Sequence, residues 1–182
     1  PWAEPAGKRF RPLRVRCQTA AMDVVIESID RTGVEYELVE CDPGHADTAA
    51  FCRAYGYAPD DSANAILVVG KSEARPMACC LVLASTRLDV NGVVRRRLGT
   101  RKASFAGAEE TIERSGGMQI GGVTPFGLPD DLPVWIDQRV MERAQVIVGG
   151  GGRDLKILCP PSALTALPMA AVVDGLAKSM TG

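Results

Sequence analysis

The sequence has a single histidine, His45, in 182 residues, and it stands beside Pro43 and Gly44 in a loop. No serine or cysteine partner is evident near it, so a histidine-based triad is disfavoured and His45 reads as a surface residue. Long apolar runs are also missing. The longest, such as residues 78–84, fall far short of the roughly 20 residues that span a bilayer. The N-terminus carries arginine and proline where a secretory signal needs an apolar stretch. No membrane association is expected, and a cytoplasmic location follows. Charge of one sign is absent as well, since 21 lysines and arginines face 22 aspartates and glutamates for a net charge of -1. That balance excludes a globally basic nucleic-acid surface and leaves room for a local one.

Cysteine is present without pattern. Cys17, Cys41, Cys52, Cys79, Cys80 and Cys159 have neither the framework of a secreted scaffold nor the paired spacing of a zinc site. They are expected to be reduced and mostly buried, with adjacent Cys79 and Cys80 pointing to opposite faces of a core strand. No metal and no cofactor are expected. Hydrophobic residues make up 46% and charged residues 24%, the composition of an ordinary folded domain. Residues 1–18, rich in proline and arginine without periodicity, read as a lead-in segment, and 19–182 as a single domain.

Periodicity places the elements. Met22, Val25, Ile26 and Ile29 form a helical stripe that Gly33 closes. Val34, Tyr36 and Leu38 alternate with glutamates as a half-buried strand, which the turn Asp42, Pro43, Gly44 ends. Asp47 caps a second helix running to about Gly56. Residues 65–69 and 77–84 predict a hairpin buried on both faces and central to a sheet. Val90, Val93, Val94 and Leu98 mark a helix closing at Gly99, and a short helix follows at residues 108–114. Residues 132–136, 145–148 and 155–159 read as strands, the last two joined by a turn at Gly149 to Gly152, and the chain ends in helix from about Ser162, broken by Pro168. The turns between strand pairs are too short for parallel crossovers. The expected fold is α/β of the α+β type: a mixed, largely antiparallel sheet, or a barrel, with flanking helices.

Three features could carry chemistry. Between Gly116 and Gly127 the glycines allow backbone amides to approach an oxyanion or phosphate, although the stretch lacks the Lys-Ser/Thr of a P-loop and a surface turn is an equal reading. Asp137 closes a strand on the face of Trp135. It could be a pocket carboxylate, but a helix N-cap is the plainer assignment. Arg95, Arg96, Arg97, Arg101 and Lys102 could contact several phosphates, or form a solvated helix end.

From about Val34 to Lys178 the order of motifs resembles the YbaK/ProX family of aminoacyl-tRNA editing domains. Gly121, Gly122, Val123, Thr124, Pro125, Phe126, Gly127 and Leu128 are similar to the family's GxxxP loop, preceded by Glu109, Glu110, Ser115 and Gly116 at the usual spacing. Residues 132–137 resemble its strand ending in aspartate, and residues 146–153 its glycine-rich hairpin. The resemblance implies a mixed sheet partly closed as a barrel, and hydrolysis of a mischarged tRNA ester by water without an enzyme nucleophile. One departure is clear: where the family places a lysine, this sequence has Asn64. An amide donates a hydrogen bond but supplies no positive charge. Lys71, seven residues on, falls on the opposite strand face.

The resulting expectation is an aminoacyl-tRNA deacylase. Gly121, Gly122, Val123 and Thr124 offer amides next to Pro125, Asn64 and Asp137 orient the substrate, and Arg95, Arg96, Arg97, Arg101 and Lys102 bind the acceptor end of the tRNA. An aminoacyl-tRNA synthetase is a further partner in this reading. The alternatives are a non-catalytic tRNA-, synthetase- or small-ligand-binding module that has lost the lysine, and a hydrolase of small esters or thioesters.

Overall fold

Helix α1 (Ala20–Asp30) buries Met22, Val25 and Ile29, the stripe its spacing predicts, and stops before Gly33 at φ +66°. The computed structural model describes residues 20–180; the predicted lead-in segment and Cys17 lie outside them. Strand β1 (Glu37–Glu40) follows, then a 3-10 turn capped by Asp42. In α2 (Thr48–Tyr55) the Asp47 carboxylate accepts from the amides of Ala49 and Ala50, and Gly56 ends the helix in the left-handed region.

The main sheet has five strands in the order β5 (Ala103–Phe105), β2 (Ala63–Gly70), β3 (Met77–Leu83), β6 (Val134–Asp137), β9 (Ala170–Val173). The hairpin β2–β3 is antiparallel and central as its sequence predicts, while β3–β6 and β6–β9 are parallel. Alternation sorts the strand residues into two cores. Leu67, Cys79, Leu81 and Ile136 pack on one face, and Val68, Cys80, Val82 and Trp135 on the other. All five described cysteines are free and buried.

Strands β7 (Val146–Gly149) and β8 (Leu155–Cys159) form the predicted hairpin, and β1 joins β8 to make a three-stranded antiparallel sheet. A ribbon of β4 (Thr86–Leu88) and β10 (Ala177–Ser179) completes the strands among the described residues. The region after β4 begins as a π-helical turn (Val90–Val94) that passes into α3 (Arg95–Arg97), and α4 (Ala108–Arg114) occupies its predicted place. Two single turns, α5 (Gln138–Met141) and α6 (Ser162–Thr165), follow β6 and β8.

Two expectations are corrected. Among the described residues no sheet closes as a barrel: the two larger sheets touch through one isolated bridge, Ser62 to Ile147, and the ladder goes no further. The residues that follow on both strands line a cavity instead, so Asn64, Ala65 and Ile66 are only half-buried. The chain also does not end in helix. After α6, β9 pairs in parallel with β6, and Gly175 turns the chain at φ +65° into β10. Proline at 168 stops the helix, and the β-branched Val172 and Val173 suit the vacant sheet edge better than a second helix.

Candidate functional site

Where the two sheets part, a cavity of about 890 Å³ opens between β2, the start of α2, β7 and the loop at 120–123. Its mouth carries the exposed apolar side chains of Phe105, Ile120 and Met180. Asn64 enters from β2, and its Oδ1 accepts the Thr48 hydroxyl at 2.5 Å. That bond leaves the Asn64 amide hydrogens without a protein acceptor among the described residues. Deeper in, Cys52 Sγ lies 3.1 Å from Ser62 Oγ.

The glycine loop supplies the facing wall. Gly121 adopts φ +92°, which favours a residue without a side chain, and both Gly121 and Val123 line the cavity. Neither of their backbone N–H groups has an acceptor among the described residues. The amide of Gly122 differs: it donates to the Gln119 carbonyl at 2.8 Å, so it is not available as a substrate donor. Gly122 acts by close approach, since its carbonyl accepts from the Gly151 amide at 2.7 Å and the two glycine-rich stretches lie backbone against backbone. Thr124 is fully buried with its hydroxyl unpartnered, and Pro125 faces a separate small cleft beside Leu128.

Sequence reading missed two cations on this wall. Lys156, on β8, lines the cavity and donates to the carbonyls of Ala46 and Gly121, both at 2.8 Å. Burial, and secondarily Arg153 nearby, pushes its pKa below the usual lysine value. Arg153 donates to the carbonyls of Ile120 at 2.9 Å and Pro43 at 2.8 Å. The signal was a lysine inside the apolar run Leu155, Ile157, Leu158, Cys159, on the strand face opposite Leu155 and Ile157.

The described residues 42–167 match the model of the aminoacyl-tRNA editing domain. This chain belongs to that family, in its YbaK-type form. It is also similar to a crystal structure described as a candidate trans-editing enzyme for prolyl tRNA synthetase. The two are 26% identical with a TM-score of 0.74, covering 90% of this chain and 99% of the other. The crystal structure of hypothetical protein APE2540 shares the fold at 22% identity and a TM-score of 0.74, covering 85% of this chain and 99% of that one.

The remaining expected residues of this editing domain lie outside the cavity wall. Asp137 is 1% exposed at the end of β6, where it caps α5 by accepting from Arg139 N and holds Ala177 N at 2.8 Å. Its plainer reading as an N-cap is therefore the geometry found. In the basic run, Arg97 stacks 5.0 Å from the Trp135 ring centroid, and Arg95 donates to the carbonyls of Asn91 and Arg101. Arg96, Arg101 and Lys102 are exposed and have no side-chain partner among the described residues. Lys102 immediately precedes β5, whose last residue, Phe105, stands at the cavity mouth. Three extended residues span at most about 10 Å, so the Lys102 backbone lies within about that distance of Phe105. His45 is exposed, edge-on to Tyr55 with ring centroids 6.4 Å apart.

Proposed function

We propose that this editing domain hydrolyses the ester of a mischarged aminoacyl-tRNA in trans, with water as the nucleophile. The observation that carries the reading is the pair of free amides at Gly121 and Val123 on the cavity wall. Donors held in place by a rigid backbone favour an ester carbonyl most strongly once it has become an oxyanion. Water adds to the carbonyl carbon and the bond to the terminal ribose oxygen breaks. One water proton passes to that oxygen, the other is released to solvent, and the amino acid leaves as its carboxylate.

Each expected residue has a part in this scheme. Asn64 directs its amide hydrogens at the substrate, and Gly122 lets the loop sit against the glycine hairpin. Thr124 and Pro125 carry the loop into the core, and Asp137 holds the framework behind it. Arg96, Arg101 and Lys102 meet acceptor-end phosphates, while Arg95 and Arg97 shape that surface. The likeness to the structure of a candidate trans-editing enzyme for prolyl tRNA synthetase supports tRNA charged for proline as the first substrate to try, a synthetase as a partner, and the cytoplasm as the compartment.

The test is a deacylation time course with a panel of aminoacyl-tRNAs, including alanine and cysteine on the proline acceptor, run beside Asn64→Lys. Turnover by the unaltered protein is expected. Inactivity relieved by Asn64→Lys would favour a second reading, a binding module that has lost its chemistry, which Asn64 in place of the family lysine keeps open.

A further inference from the structure

The deacylation scheme leaves one buried cation unused. Lys156 is 5% exposed, and no carboxylate lies within ion-pair distance of it among the described residues. Two of its ammonium hydrogens are taken by the carbonyls of Ala46 and Gly121. The third has no acceptor there except the ring face of Phe51, whose centroid is 5.6 Å away and which also lines the cavity. A buried ammonium without a counter-charge costs stability, and an arriving negative charge offsets that cost.

Arg153 makes the arrangement rigid. By holding the Ile120 carbonyl it fixes the 120–121 peptide plane, and Lys156 fixes the next plane through the Gly121 carbonyl. In a trans peptide the carbonyl and N–H point in opposite directions. Tying the Ile120 oxygen to Arg153 therefore turns the free Gly121 N–H away from that guanidinium.

We propose that Lys156 is the charged donor of this site: its third ammonium hydrogen binds the ester carbonyl oxygen of the substrate and stabilises the oxyanion formed when water adds. The role rests on the deacylase reading above. It places the positive charge on β8, across the cavity from Asn64, and gives Arg153 a positioning role for the Gly121 donor.

The experiment compares the unaltered protein with Lys156→Met, which removes the charge at similar length, in single-turnover and steady-state deacylation. For a folded variant, kcat is expected to fall about 100-fold with KM changed by less than about threefold, the pattern of a contact made in the transition state. An undiminished kcat overturns the role of Lys156 and leaves the deacylase reading standing. No turnover of any aminoacyl-tRNA by the unaltered protein overturns both. Where Lys156→Met lacks a cooperative melt, the unaltered protein decides: reductive methylation of Lys156, read by mass spectrometry, is expected to slow when a non-hydrolysable 3′-amide analogue of alanyl-adenosine saturates the site. An unchanged labelling rate overturns the proposal.

Discussion

Gly122 and Gly152 pass so closely that a Cβ on Gly122 would lie 2.0 Å from the Gly152 carbonyl oxygen. The obstacle is backbone, so no side-chain rotation relieves it. Gly122→Ala is expected to displace the 120–123 loop, lower stability by at least about 2 kcal/mol, and abolish deacylation. A thermal melt and an activity assay on the same preparation check this; an active variant with an unchanged melting temperature contradicts the packing described.

Asp137→Ala separates framework from chemistry. It removes a buried carboxylate that caps α5 and holds the Ala177 amide, at an expected cost of about 2–4 kcal/mol. Because Asp137 does not line the cavity, kcat/KM per folded molecule should stay near that of the unaltered protein. Denaturant unfolding and active-site-normalised kinetics measure the two effects.

Arg101→Ala and Lys102→Ala should each raise KM for aminoacyl-tRNA and reduce the salt dependence of binding by roughly 0.7–0.9 in slope per lost phosphate contact. Arg97→Ala should instead lower the melting temperature, because that guanidinium stacks on Trp135. Binding isotherms at several salt concentrations distinguish the two classes.

Lys156 has a signature in stability. Its folded-state pKa is depressed, chiefly by burial and next by Arg153, with Cys41, Asp47 and Cys52 acting the other way. Between that depressed value and the ordinary lysine value of about 10.4, the unfolded chain binds more protons than the folded one. Stability owed to this residue therefore rises with pH across the interval. The difference in unfolding free energy between the unaltered protein and Lys156→Met should shift in favour of lysine as pH increases through the alkaline range, as urea titrations at stepped pH would show.

The core thiols should be inert. Burial pushes Cys79 and Cys159 up to about 12, so almost no thiolate exists near neutral pH. A Cys17→Ser variant should react slowly with a thiol reagent when native and promptly at all five remaining positions once denatured. Fast native labelling at Cys79 or Cys159 would contradict the packing.

Much of the fold was legible because its signals are local. Asp47 and Gly56 bound α2, Cys79 and Cys80 divide between two cores, and the hairpin of β7 and β8 falls on its glycines. Each reflects the backbone preference of a few residues or the alternation of a strand, which a sequence displays directly. The C-terminal strands were not legible, since residues 170–173 take their conformation from the open edge of β6.

The site divides in the same way. The sequence by itself pointed to the editing-domain family through its loop at 121–128, and the family model matched over residues 42–167 bears that out. Only the tertiary structure decided which amides of that loop stay free, that Asp137 serves the framework, and that Lys156 reaches Gly121. Residues 121 and 156 meet because two glycine stretches pack backbone to backbone and the register of β8 against β1 and β7 turns one lysine inward. Contacts of that kind depend on where distant segments are carried, and no local pattern encodes them.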